Sequence, residues 1–285
     1  MPSVTIVGIG RVGGAFAVKF RGSEYTIRNL IGNKSGQPSS DVVDLDAVHA
    51  IAEDVVLLTV PDDQLVRVAT DIARKIKNAP VVLHTSGPLS SDILKPLADI
   101  GCSVGSVHPL VSFTSAESGA KELDGAYFCV EGDTRAVETA MDLISYFGGI
   151  SFEVPTANKV LYHAAAVAAC GHLTALIDVS QVMLEKAGVD REMASKILIP
   201  LIKSTVKNIA EQGTDAALTG TFARTDVAGF ERQLATFSGK LTRNETEIYL
   251  SLAERSIEIA LRNGADQKRI TRIEELLSLA KSELR

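Results

Sequence analysis

The sequence predicts an α/β doubly wound sheet in its first half and an all-α helical domain in its second. Short apolar runs without strict alternation recur up to residue 154, as in strands buried on both faces. A glycine-rich turn joins the first of these runs to a stretch with helical apolar spacing, and beyond Pro155 the apolar period becomes 3.6 throughout. The expected domains are therefore 1–154 and 155–285.

Taken in order, Val4–Val7 is a β-branched run suited to a buried strand. Gly8, Gly10 and Gly13 follow as GxGxxG, and Val12, Ala15, Phe16 and Phe20 then fall on one helical face. Strand, glycine turn and helix together form a Rossmann-type dinucleotide fingerprint. Gly8 allows the tight turn, Gly10 lets backbone approach a pyrophosphate, and Gly13 lets the helix pack on the strand. With Ile9, Arg11 and Val12 they make up a loop whose N–H groups and helix dipole favour a diphosphate.

Tyr25–Ile31 is the second strand. An NAD site places an acid about 20 residues beyond the glycine turn to bond the ribose 2′-hydroxyl, yet no acid occurs between Glu24 and Asp41. Asn33, Lys34 and Ser35 stand there instead, and their donors suit a 2′-phosphate. The cofactor expected is NADP. A methyltransferase, which shares the glycine turn, would also need the missing acid.

The segment from Asp41 to Ile51 reads as a short helix, and Val55–Val60 as a central strand whose end, Thr59 and Val60, completes the cofactor contacts. Pro61 and Asp62 open a helix running to about Ile76. Strands follow near Val81–Gly87, which ends in polar residues, and near Ser103–Val107, Ala126–Val130 and Ile150–Val154, with helices opening at Ser90 and spanning Thr134–Phe147. The helices expected in the second half are Asn158–Ala187, Arg191–Gln212, Val227–Phe237, Glu245–Arg262 and Thr271–Leu284.

Polar residues collect where a ligand crevice is expected. Thr59, His84, Thr85, Ser86 and His108 all fall at the C-terminal ends of expected parallel strands. Lys159 and His163 lie one turn apart on the long helix, while His172 falls on its opposite side, where it is expected to pack. Arg224, in the loop Leu218–Asp226, suits a substrate carboxylate, or else pairs with Asp226 across a turn at Gly220. Hydride transfer to a carbonyl requires a proton donor at the oxygen. Lys159 is the first choice for that donor, with His84 or His163 able to relay or replace it, and Ser86, His108 and Arg224 are the candidate substrate contacts. No metal is expected, because the histidines lack a carboxylate at ligand spacing.

Composition narrows the partners. A net charge of −6 and a pI near 5.5 argue against nucleic acid or an anionic membrane. Cys102, Cys129 and Cys170 lack CxxC spacing and sit in apolar runs, so they read as reduced core residues of a cytoplasmic protein. The first strand begins too early for a secretory signal. Val160–Leu184 is strongly apolar but interrupted by His163, His172 and Asp178, which favours a buried helix over a membrane span. Its small residues, Ala164–Ala169, would let this helix centre both the helical domain and a homodimer.

These residues resemble a family. The glycine loop, His84-Thr-Ser-Gly87, Gly105-Ser-Val-His-Pro109, Lys159 with Tyr162-His163-Ala164, and Thr219-Gly220 with Arg224 and Asp226 resemble the predicted NADP oxidoreductases that join a Rossmann-like domain to an uncharacterised helical domain. The resemblance spans nearly the whole chain, departing at Thr221 and Thr225, where proline and glycine are more familiar. That group is similar to the 6-phosphogluconate dehydrogenase-like superfamily, including ketopantoate reductases, hydroxyacid dehydrogenases and pyrroline-5-carboxylate reductases. The resemblance implies helix-mediated dimers, a catalytic lysine at the position of Lys159, and hydride transfer between NADP and a small, carboxylate-bearing carbonyl or hydroxy substrate. Cyclic imine reduction and a non-catalytic NADP-sensing dimer are the alternatives.

Overall fold

The computed structural model describes residues 1–21, 23–32 and 41–284. Asn33, Lys34 and Ser35, the expected 2′-phosphate contacts, lie outside the described residues. The chain divides into two compact units, Met1–Cys170 and Gly171–Arg285. Strands end near residue 154 as the sequence indicates, but the first unit also takes in the following helical turns, because Lys159 is fully buried there.

The first unit is built on β1 (Ser3–Val7), β2 (Thr26–Ile31), β3 (Val42–Val43), β4 (Val55–Leu58), β5 (Val81–His84), β6 (Ser103–Pro109), β7 (Tyr127–Gly132) and β8 (Ile150–Glu153). They form one sheet in the order β3-β2-β1-β4-β5-β6-β7-β8. One face is covered by α1 (Arg11–Phe20) and α5 (Thr134–Tyr146), with Phe16, Phe20, Phe128, Leu143 and Phe147 in a single core. The other is covered by α2 (Leu65–Ala73) and the short α3 (Lys95–Ala98), which bury Leu65, Val68, Ile72 and Leu97. Each such side chain contributes about 1.5–3 kcal/mol by leaving water.

Two elements differ from the sequence reading. Asp41–Ile51 is not a helix: β3 pairs with β2, and a single 3₁₀ turn follows at Leu45–Ala47 because the Asp44 carboxylate accepts the Asp46 N–H at 3.0 Å. The last strands also reverse. Strands β1 to β6 pair in parallel, but β7 runs antiparallel to β6. The chain gets there through α4 (Ala116–Glu122), a helix the apolar pattern did not reveal, which packs on α1 so closely that a Cβ on Gly14 would lie 2.8 Å from that of Ala116.

The reversal matters for the site. In register, His84 of β5 lies beside Ser106 of β6, and Ser106 beside Glu131 of β7. Neighbours in register point to the same face of a sheet, so three polar side chains form one buried row where apolar residues are the rule. That row needs a partner.

After β8, α6 (Lys159–Val167) leads through a π-helical turn at Ala168–His172 into α7 (Leu173–Lys186). This stretch is not the buried helix expected. In Thr156–Lys186, the most apolar 18-residue window has a mean hydropathy of 1.6 with none of it buried, so the helix is long and apolar enough to cross a membrane by length and composition. Val160 and Leu161 are 68% and 73% exposed, and His172 and Cys170 are exposed as well, whereas Cys102 and Cys129 are buried. The apolar pattern that suggested a core helix instead leaves an uncovered face.

The second unit continues with α8 (Arg191–Ala217), kinked at Gly213, then α9 (Gly220–Ala223), α10 (Val227–Phe237), α11 (Arg243–Arg262) and α12 (Gln267–Glu283). Phe230, Leu250, Ile257, Ile270 and Ile273 form its core. Gly220 makes the expected turn at φ +80, but Asp226 does not pair with Arg224: its carboxylate caps α10 by accepting the Gly229 N–H at 2.8 Å. Arg224 is exposed. Between them, the buried Thr225 adopts φ +47, a left-handed conformation that β-branched residues resist. Thr225→Gly is expected to relieve this strain and stabilise the protein by about 1 kcal/mol, raising Tm by roughly 2–4 °C in thermal melts; a fall in Tm would show that the Thr225 side chain is worth more than the strain it imposes.

Candidate active site

The glycine turn has the geometry that backbone binding of a diphosphate needs. Gly8 takes φ +98, and a Cβ there would lie 2.8 Å from the Thr59 backbone. On Gly13 a Cβ would fall 2.0 Å from the Gly8 carbonyl oxygen. Around Gly10 nothing lies within 4 Å of that position, so the loop is tight where it packs and open where a ligand would approach. No side chain caps α1, whose first N–H groups therefore face that opening.

Thr59 acts from beneath the turn. Its hydroxyl donates to the carbonyl oxygens of Gly8 and, at 3.2 Å, Val7, which fixes the loop. Arg11 donates to the Phe113 carbonyl at 3.1 Å, and Val12 packs against the core. Gly8, Ile9, Gly10, Gly32, Val60, Gln64 and Arg67 are among the residues lining a cleft of about 460 Å³. The residues present fit a dinucleotide in an open backbone approach at Gly10 and an apolar wall from Ile9 and Val60, with Gln64, Arg67 and the carboxylates of Asp44, Asp46 and Asp71 as the polar groups of the cleft.

The polar row is completed by Lys159, which the first turn of α6 inserts beneath the ends of β5 and β6. Its ammonium donates to the Ser86 carbonyl at 3.3 Å, to the Ser106 hydroxyl, and to Glu131 Oε1 at 3.4 Å. Three N–H donors meet three acceptors, and nothing of the side chain is exposed. Glu131 in turn accepts from the Ser91 N–H at 2.8 Å, the Ser91 hydroxyl at 2.9 Å and the Thr156 hydroxyl at 3.3 Å. Burial alone would raise the Glu131 pKa, but the Ser91 hydrogen bonds and the Lys159 charge outweigh it and hold the carboxyl below its usual range. Burial pushes Lys159 downward while Glu131 pulls it back.

His84 is likewise enclosed. Its Nδ1 accepts the Ser86 N–H and its Nε2 donates to the Ser90 carbonyl, both at 3.1 Å. Burial, then the neighbouring Lys159, lowers its pKa to about 4. His84 is a neutral brace for the 84–91 turn, with both nitrogens engaged. Ser86 is nearly buried and its hydroxyl accepts the Leu89 N–H at 3.2 Å.

His108 and His163 differ in being only partly buried. Their rings meet edge to face, with centroids 5.6 Å apart, and Tyr162 packs on His108 at the same separation. The Tyr162 hydroxyl lies 2.6 Å from His108 Nδ1. Gly87 makes the arrangement possible: a Cβ there would fall 2.1 Å from His163 Nδ1 and 2.9 Å from His108 Nε2. Burial first, then His163 and Lys159, lowers the His108 pKa to about 4. His163 Nδ1 is buried without a hydrogen-bond partner.

The structure thus brings His84, Ser86, His108, Lys159 and His163 to one edge of the sheet in the first unit, which also carries the glycine turn. Arg224 belongs to the second unit. Among the described residues no cluster of metal-ligating side chains occurs. Sequence reasoning missed Glu131, for which an acid ending the otherwise apolar Phe128-Cys-Val-Glu131 was the available signal, and gave no role to Gly87 and Ser106 although both lie in the motifs His84-Thr-Ser-Gly87 and Gly105-Ser-Val-His-Pro109.

Removing one member of a buried ion pair strands the other. Lys159→Met is expected to cost about 3–5 kcal/mol in chemical denaturation, with Lys159→Met/Glu131→Leu recovering most of that loss. If the single and double variants were equally unstable, the pair would not be the anchor of α6.

Residues 2–109 match a Rossmann-like domain, and residues 126–256 match a domain of unknown function, DUF2520. His84, Ser86, Ser106 and His108 fall in the first match; Glu131, Lys159, Tyr162 and His163 fall in the second. No curated protein sequence matches the chain. Protein TM1727 from Thermotoga maritima superposes with a TM-score of 0.73 at 24% identity, over 91% of this chain and 99% of its own. BF3122 from Bacteroides fragilis, a proposed NADP oxidoreductase, gives 0.71 at 16% identity over 90% and 98%. Pyrroline carboxylate reductase from Plasmodium falciparum, solved with NADP bound, gives 0.58 at 14% identity over 91% and 98%. At these identities the likeness establishes the fold. The chain thus joins an N-terminal Rossmann-like domain to a C-terminal DUF2520 domain.

Proposed function

We propose that this protein is an NADP-dependent oxidoreductase moving a hydride between nicotinamide and a small, carboxylate-bearing carbonyl or hydroxy substrate. The observation that carries the reading is the placement of two half-buried histidines on the sheet edge that also holds an open glycine turn. NADP rather than NAD rests on the sequence after β2, which lacks the acid that would bond a ribose 2′-hydroxyl. A bound nicotinamide would supply or accept the hydride. The protein must supply the proton, the fixed geometry and a dry surrounding.

Among the candidate acids, His163 and His108 are the groups with residual exposure, so His163 is assigned as the proton donor and His108 as its neighbour and substrate contact. Lys159, whose three donors are all engaged internally, is assigned to holding α6 in place. Arg224 remains a proposed carboxylate contact. A second reading, reduction of a cyclic imine, is favoured by one observation: His108 is held neutral, with a pKa of about 4. A C=N bond already polarised by protonation asks less of a local acid than a carbonyl does.

The exposed apolar face of Thr156–Lys186 supports a homodimer in which a second copy covers it; a cytoplasmic location is proposed from the cysteine pattern of the sequence alone. A membrane fits less well, because Lys159 is ion-paired inside the first unit and His163, His172 and Asp178 interrupt the stretch. Light scattering should give twice the 30.3 kDa chain mass; a monomer at micromolar concentration would contradict the dimer.

Calorimetry should detect NADPH binding, and stopped assays against 2-oxo acids and cyclic imines should show its oxidation with one of the two classes. His163→Ala is expected to lower kcat by roughly 10²-fold while leaving NADPH affinity unchanged. Absence of NADPH binding would overturn the reading. Binding without turnover on either panel would support an NADP sensor instead.

A further inference from the structure

Tyr162 has no part in the assignments above, yet it makes the shortest polar contact that His108 has. A neutral imidazole carries one donor nitrogen and one acceptor, and the partner of one nitrogen decides the state of the other. We propose that Tyr162 is the positioning residue that fixes the tautomer of His108, its hydroxyl donating to Nδ1 so that the ring proton stays on Nε2. The inference rests on the proposed function only for its consequence in catalysis; the tautomer itself is a property of the free protein.

Three observations lead to it. The Tyr162 hydroxyl stands 2.6 Å from His108 Nδ1, a distance typical of an O–H donor meeting a good acceptor. The other hydrogen-bond partner of that hydroxyl is the Cys129 sulfur, which lies opposite His108 in the β6–β7 register and competes as acceptor. Sulfur is a weak acceptor beside an imidazole nitrogen, so the phenol proton is better placed on His108. Burial and Cys129 also raise the Tyr162 pKa above its ordinary value, which keeps the hydroxyl protonated as a donor.

The third observation is at the far side of the ring. His108 Nε2 faces Gly87, and so does His163 Nδ1, the one buried side-chain atom found without a partner among the described residues. A buried polar atom left unpaired is destabilising, because it has lost its water without gaining a partner. A proton held on His108 Nε2 gives that nitrogen a donor on the side it faces, reached by a small ring movement. Of the series Tyr162, His108 and His163, only the hydrogen bond between Tyr162 and His108 is formed in the structure, where His163 Nδ1 has no partner. Packing holds it in line, since the Tyr162 ring is wedged between Phe152, with centroids 5.8 Å apart, and His108.

Long-range ¹H–¹⁵N correlation spectra of the full chain read the tautomer of each histidine directly, and His108→Gln identifies the His108 signals among the five histidines. The expected result is a protonated Nε2 and an unprotonated Nδ1 in the wild type, and a mixture of both tautomers in Tyr162→Phe, which keeps the ring but loses the donor. A wild-type His108 protonated on Nδ1, or a Tyr162→Phe spectrum with the wild-type tautomer unchanged, would overturn the proposal. In turnover, Tyr162→Phe is expected to lower kcat about tenfold with KM for NADPH unchanged. The spectra need neither cofactor nor substrate, so their outcome is separate from whether the oxidoreductase reading holds.

Discussion

The buried ion pair between Lys159 and Glu131 is the constraint from which the rest of the site follows. A buried charge pair is costly to form in isolation, because both ions leave water. It is stable here because every acceptor and donor around it is used: Ser86 and Ser106 on the ammonium, Ser91 and Thr156 on the carboxylate. The pair joins the start of α6 to β5, β6 and β7 at once. With Lys159 fixed, Tyr162 and His163 follow one turn later on the helix and must meet His108 and Gly87. Position in the histidine cluster is thus set by electrostatics one layer below it.

That arrangement separates two duties that a lysine in this position could have combined. Lys159 lends its positive charge to the field around the histidines, helping to hold His84 and His108 neutral. Its own protons are occupied. Of the groups left with access to a ligand, His108 is held neutral, which is why the imine reading stands beside the carbonyl one.

Much of this was legible in the sequence. The glycine turn was, because GxGxxG between a strand and a helix is a local pattern and the physics of Gly8, Gly10 and Gly13 is local too. His84 and His108 could be placed at one sheet edge, since period and order fix where strands end, whereas Lys159 and His163 could be placed only one turn apart on the helix that follows. What each does there could not be read. Glu131 is 28 residues from Lys159 in sequence and reaches it only because β7 runs antiparallel; an apolar run has the same pattern in either direction. His84 and His108 look alike at strand ends, yet one is sealed by backbone partners and the other is half open. The apolar helix around Ala164–Ala169 also misled, since hydropathy cannot distinguish a face buried in its own chain from one left exposed on it.

The most direct measurement is a crystal structure with NADPH. The expected result has the diphosphate on the N–H groups at the start of α1 and the nicotinamide edge beside His108 and His163, with Lys159 still bound to Ser86, Ser106 and Glu131. A Lys159 side chain withdrawn from Glu131 and directed at the ring would contradict its role as an anchor and return it to the chemistry itself.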